Sequence, residues 1–113
     1  MNNSLRGEFT FSVGKKKYDA VLTLNALRLM CQQFKMPLDK LDKWMAEDPL
    51  TAVPAFCYYG AKNAALRKNK SIDLPDFDVW CAQCLDDQDT VESMMAAVSE
   101  ALGGEEEASE KGN

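Results

Sequence analysis

The feature that most limits the fold of this chain is the stretch 53–66. There Val53, Phe56, Cys57, Tyr58, Tyr59, Ala61, Ala64 and Ala65 leave almost no polar side to the helix they would form. A helix with one apolar stripe lies on a surface, whereas one that is apolar nearly all round is packed on several sides. This stretch therefore reads as the centre of the fold. Its start is set near Pro49, with Asp48 as cap and proline in the first turn, and Pro54 is expected to delay or kink that start. Gly60, in the middle of the run, calls for close backbone approach by a neighbour. A chain of 113 residues suits one domain and buries roughly two thirds of its unfolded surface, so most other apolar faces are needed for packing.

Residues 8–13 alternate Phe9, Phe11 and Val13 with Glu8, Thr10 and Ser12, the period of a half-buried strand. Gly14 and Lys15 supply a turn, and a second strand is expected over 18–23. A hairpin alone is marginal in water, so helices must cover it. The first, capped by Thr23 or Asn25, runs to about residue 35 with Leu24, Leu27, Cys31 and Phe34 on one face and Met30 beside them. Met36-Pro37 ends it. A short helix is expected over 38–47, with Leu38, Leu41, Trp44 and Met45 opposite Asp39, Lys40, Asp42 and Lys43. After a polar break at 69–73, Pro75 opens a helix striped by Phe77, Trp80, Cys81, Cys84 and Leu85. Asp89 and Glu92 have capping-box spacing for a last helix, striped by Val91, Met94, Met95, Val98 and Leu102 and closed by Gly103-Gly104. The expected fold is α+β, mostly helical: an N-terminal β-hairpin packed on about five short amphipathic helices in a single domain over residues 8–103. A flexible lead-in, residues 1–7, is expected before it and a disordered acidic tail, residues 104–113, after it.

The formal net charge is -5, from 18 acidic and 13 basic residues. Without Glu105, Glu106, Glu107, Glu110 and Lys111 of the tail, 14 acids face 12 bases, a net of -2. A near-neutral body lacks the basic face that phosphate contacts require, so nucleic acid is not an expected partner. Two basic clusters remain, Lys15-Lys16-Lys17 and Arg67-Lys68-Lys70, each at a turn or helix end where solvated charge is ordinary. Residues 1–7 are polar with no apolar run behind them, so no signal peptide is expected. No apolar run approaches the roughly 18 residues of a membrane span. Cys31, Cys57, Cys81 and Cys84 lie within apolar helical patterns, which suits free thiols in a reducing cytoplasm.

Trp80-Cys81-Ala82-Gln83-Cys84 is spelled like a thioredoxin-type redox site. That chemistry places the first cysteine at a helix start directly after a strand, where the helix end lowers its pKa. Here Pro75 to Val79 already occupy the first turn, and the two thiols share an apolar face with Phe77 and Leu85, so they read as core cysteines. A thiol oxidoreductase acting through Cys81 and Cys84 is the enzymatic alternative. A structural zinc site would need a second paired unit, but Cys31 and Cys57 are isolated on different helices and the chain has no histidine. The lack of histidine also removes the commonest general base and every Ser/His or Cys/His pair. Asp76 and Asp78 do not share a helix face, and the Asp86-Asp87-Gln88-Asp89 run lacks the glycine and terminal glutamate of a calcium loop. No catalytic, cofactor-binding or metal-ligating residue is therefore expected, and the chain reads as a protein-binding domain. Met94 and Met95, with Val91 and Val98, are expected as core, with a flexible binding stripe as the alternative.

Asn3-Ser4-Leu5-Arg6-Gly7-Glu8, an alternating strand, Gly14, a second strand and Thr23-Leu24-Asn25-Ala26-Leu27 follow in that order. This order resembles phage tail assembly chaperones, including the related small tail proteins of gene transfer agents. The likeness covers the first 35 residues; beyond them only the succession of short helices agrees. Gly7 and Gly14 would serve backbone shape, and Asn25 the strand-to-helix junction. The resemblance implies a non-enzymatic chaperone in the cytoplasm of a bacterial host that coats the tape measure protein and helps recruit tail tube subunits. Homo-oligomers, rings or filaments, are compatible with it. A small phage or host adaptor or regulator is the alternative within the binding class.

Overall fold

The computed structural model describes residues 7–102. Strands β1 (Glu8–Val13) and β2 (Lys16–Val21) come first, then α1 (Leu24–Phe34), a single 3-10 turn (Leu38–Lys40), α2 (Leu41–Glu47), α3 (Pro49–Arg67), α4 (Phe77–Leu85) and α5 (Gln88–Ala101). This is the expected α+β arrangement of a hairpin on five helices. Of the expected lead-in only Gly7 is among the described residues; the closing Gly103-Gly104 and the acidic tail lie outside them.

The hairpin pairs antiparallel from Glu8 with Val21 to Val13 with Lys16. Gly14 and Lys15 alone form the turn, so β2 begins at Lys16 rather than at Tyr18. Gly14 has φ +61° while Lys15 keeps a negative φ, the primed geometry that matches the twist of the strands. At the far end β2 stops at Val21; the Leu22 N–H adds one more bond to the Gly7 carbonyl at 2.8 Å, and Thr23 leads into α1. Period-two alternation puts Phe9, Phe11 and Val13 on the same face as Ala20, Tyr18 and Lys16. Phe11, Tyr18 and Ala20 are buried there, with β2 against α3 and β1 against α5.

Helix α3 is the centre. It is buried without a break from Ala52 to Ala61 and again at Asn63 and Ala64, and β2, α1, α2, α4 and α5 all contact it. The hairpin is the neighbour that Gly60 admits: a Cβ there would stand 3.1 Å from Ala20 Cβ and 3.4 Å from Phe9 Cζ. Pro54 does not delay the helix, which runs from Pro49 through it. The missing proline N–H deprives the Leu50 carbonyl of its helical donor, but Leu50 is exposed and water can replace that bond. Trp80 is fully buried, with its Nε1–H donating to the Pro54 carbonyl at 3.0 Å. Its ring meets those of Phe11, Tyr18 and Tyr58 edge-on, with centroids 6.1, 5.3 and 5.3 Å away, the favoured aromatic arrangement.

Several sequence expectations shift. The buried residues of α1 are Ala26 and Met30, flanked by half-buried Leu27, Cys31 and Phe34, whereas Leu24 is exposed. Leu24 and Ala26 are two residues apart, roughly 200° around a helix of 3.6 residues per turn, so a face centred on Ala26 sends Leu24 outward. The helix expected over 38–47 divides into a 3-10 turn and α2, with Leu41 buried and Leu38 exposed. Helix α4 starts at Phe77 with Asp76 as the preceding cap residue, so Pro75 lies before the helix, where its carbonyl accepts the Tyr58 hydroxyl at 2.6 Å. Helix α5 starts two residues earlier than the capping box implies, at Gln88, behind Asp87. Asp89 is thus already in the first turn and forms no capping box; Glu92 instead accepts from Gln88 Nε2 at 3.3 Å. Among the described residues no helix is long and apolar enough to cross a membrane.

Candidate partner-binding surface

The cysteine pair comes first, because its spelling alone points to chemistry. Cys81 lies inside α4 rather than at its start, half-buried, and Cys84 one turn on is fully buried. Burial and then the neighbouring Cys81 push the Cys84 thiol up to about 12. Burial, followed by Asp78 and Asp48, raises Cys81, and burial with Cys84 nearby raises Cys57 well above the usual thiol range. A nucleophilic cysteine needs the opposite shift. Burial favours the protonated thiol at all three, with the carboxylates of Asp78 and Asp48 adding to it at Cys81. Among the described residues no three His, Cys, Asp or Glu side chains come together in a way that could hold a metal ion.

The surface that stands out is apolar. Met45 of α2, Pro49 and Val53 of α3, and Met95, Val98 and Leu102 of α5 bound a cleft of about 340 Å³ whose one polar side chain is Ser99. Pro49, Val53 and Met95 also belong to an adjoining apolar depression, where they meet Leu50, Leu85 and Val91. Large side chains lie open along this strip: Leu50 is 59 % exposed, Met95 45 %, Leu102 48 % and Leu85 40 %. No charged residue lines either depression. Water around such a strip is displaced favourably by any apolar segment laid along it.

The strip exists because α5 carries more apolar surface than the core absorbs. Thr90, Met94 and Val98, each one turn apart, point inward and are buried. Met95 and Leu102, seven residues apart and so again on one face, stand beside that line and stay open. The two readings of the methionine stripe therefore divide between its members: Met94 is core at 1 % exposure and Met95 is surface. A second apolar spot lies where exposed Leu24 and Leu38 flank Cys31 beside Asn25 and Arg28.

Two buried polar residues that tie the hairpin to the helices were not legible in the sequence. Asn63 of α3, 1 % exposed, donates through Nδ2 to the Val21 carbonyl at 3.0 Å and to Thr23 Oγ1 at 2.9 Å. Its Oδ1 accepts from Asn25 Nδ2 at 2.9 Å, while Asn25 Oδ1 accepts from Arg28 Nε at 2.9 Å. The strand-to-helix junction assigned to Asn25 is thus pinned from α3. Thr90, also buried, accepts the Gly14 N–H at 3.1 Å and donates to Asp87 Oδ2 at 2.7 Å, which fixes the hairpin turn to the start of α5. A polar residue breaking an apolar run was the available sign for Asn63. Comparison with known proteins gave no match of any kind: no family model fits the chain, and neither a characterised protein nor a solved structure proved similar to it.

Proposed function

We propose that this chain is a non-enzymatic phage tail assembly chaperone that holds an apolar, helical segment of the tape measure protein in the bacterial cytoplasm and aids tail tube assembly. The observation that carries the reading is the uncharged apolar strip between α2, the start of α3 and the end of α5. It offers the complement of an amphipathic helix, whose anchors recur at three-, four- and seven-residue spacings, with Met95 and Leu102 seven residues apart along one side and Leu85 of α4 beside them. The amino-terminal resemblance through Gly7-Glu8, Gly14 and Thr23-Leu24-Asn25-Ala26-Leu27 supplies the identity of the partner. Thiols held protonated by burial oppose the oxidoreductase alternative through Cys81 and Cys84.

Co-expression with the tape measure protein of the same gene cluster tests this. The expected outcome is a soluble complex that co-elutes in gel filtration. A Met95→Lys/Leu102→Glu variant should keep its helical circular dichroism yet bind at least about 10-fold more weakly, the loss of one modest anchor. Failure to bind any protein encoded beside it would sink the proposal. Equal binding by the variant would move the contact elsewhere, with the Leu24–Leu38 spot next in line.

A further inference from the structure

The pairing of the hairpin settles which backbone groups of β2 face away from it. The Leu22 N–H donates to the Gly7 carbonyl, and bonded and unbonded pairs alternate along an antiparallel ladder. Phe9 with Ala20, Phe11 with Tyr18 and Val13 with Lys16 are therefore bonded pairs, whereas Lys17, Asp19 and Val21 aim their N–H and C=O groups away from β1. Asn63 bears this parity out, since its Nδ2 meets the outward Val21 carbonyl at 3.0 Å. Lys17 and Asp19 are exposed. Among the described residues none of their four outward groups meets another backbone group.

A cleft of about 270 Å³ lies along this edge, lined by Lys16 to Asp19 of β2 and by no residue of β1. Buried Ala61 and Ala64 of α3 form its floor, with side chains too small to fill it. Its far wall is the segment after α3. The chain reverses at Asn69, φ +57°, where the Lys70 N–H bonds the Ala65 carbonyl at 2.9 Å. Lys70 to Asp73 then line the cleft, and Pro75 has come back to Tyr58. Four residues of strand span roughly 10 Å, so the cleft matches a short extended segment. Lys16, Lys17, Lys68 and Lys70 surround it against Asp19 and Asp73, which leaves it net positive.

We propose that this edge of β2 takes an extended acidic segment of a partner protein as a third strand. The outward groups of Lys17 and Asp19 supply main-chain bonds, and the alternation of the added strand turns small apolar side chains to Ala61 and Ala64 and carboxylates to the lysines. The same lysines oppose pairing with a second copy of this edge, as charged edge strands do. The inference does not depend on what the apolar strip binds.

The test uses the isotope-labelled full chain and a capped Glu-Val-Glu-Val-Glu-Val-Glu peptide. The peptide should shift the amides of Lys17 and Asp19 and slow their hydrogen exchange, leaving Tyr18 and Ala20, already bonded within the hairpin, unchanged. A peptide with lysine in place of glutamate should not bind. Two N-methylated forms, one methylated at the glutamates and one at the valines, keep the charge, and at least one should bind about 10-fold more weakly for want of main-chain bonds. Lys17→Pro removes an outward N–H at a position where an edge strand tolerates proline, and it should weaken binding more than Lys17→Gln, which keeps that N–H. Equal binding by both methylated forms would mean that charge alone holds the peptide, and would overturn the added strand. A short DNA duplex that displaces the peptide from these amides would make the cleft a nucleic-acid site. Protection of Lys17 and Asp19 that grows with protein concentration, without peptide, would give the edge to a second copy. Either result would overturn the inference.

Discussion

Asn63 joins three segments with one side chain, and its loss would be felt at each. Asn63→Leu keeps the volume but strips the buried Val21 carbonyl of its side-chain donor and leaves Thr23 and Asn25 to find water. An unsatisfied buried polar group costs about 1–3 kcal/mol, so we expect Asn63→Leu to lower the urea-unfolding free energy by about 2–3 kcal/mol. Asn63→Asp should lose at least as much, because a carboxylate would face the carbonyl it replaced a donor for. The cysteines make a prediction of opposite character. An unfolded thiol titrates near 9.0, whereas Cys84 in the fold does so at about 12. Above pH 9 the unfolded chain binds fewer protons than the folded one, so stability is full below that value and falls as pH rises toward 12. Thermal midpoints measured from pH 7 to 10.5 should decline once pH 9 is passed, and a Cys84→Ala variant, lower overall, should decline less steeply. Residues like these were only partly legible beforehand. The apolar setting of Cys84 followed from its stripe; the role of Asn63 did not, because a lone asparagine in an apolar run reads the same whether it meets solvent or a strand end.

At the scale of elements, pattern served well where both sides of an element had a defined fate. The hairpin was readable because alternation assigns every second residue to one face, and α3 because nearly all its residues are apolar. Helices with a single stripe were harder. Periodicity shows that α1 has an apolar face, but Ala26 rather than Leu24 lies at its centre, and small residues weigh little in such a reading. Helix starts were harder still: the box expected from Asp89 and Glu92 gave way to a helix starting at Gln88, whose preceding Asp87 is engaged by the Thr90 hydroxyl and caps no backbone N–H. The contact of hairpin and α3 at Gly60 can be probed directly. Gly60→Val would drive its side chain into Ala20 and Phe9, and overpacking of this kind costs about 1–3 kcal/mol, more than the gain from removing a helical glycine, about 0.5 kcal/mol for a β-branched replacement. The expected net is destabilisation by urea titration, with hairpin amides the first to lose hydrogen-exchange protection.

For the molecule as a whole, a small core fed by five helices leaves apolar surface over, and α5 shows where the surplus goes. Composition made a surplus foreseeable; its location was not, since that depends on which flank of each stripe meets α3. Substituting Met95 and Leu102 should therefore separate binding from stability. Exposed positions usually change stability by under about 0.5 kcal/mol each, so Met95→Lys/Leu102→Glu should shift the melting temperature by no more than about 4–8 °C while weakening partner capture. A larger shift would mean that the strip belongs to the core.

The bond from Gly14 to Thr90 closes a loop of 76 residues. Each strand of the hairpin leans on a helix that is synthesised after it, β2 on α3 and β1 on α5. A nascent chain emerging from the ribosome thus exposes Phe9, Phe11 and Tyr18 until its last helix is out, and contacts of such long sequence separation form slowly. The first 35 residues, though they open the chain, are completed last, and they will not persist as an excised module. Fragments ending before α5 should stay protease-sensitive throughout, and folding of the whole chain should appear as one late step rather than a growing amino-terminal nucleus.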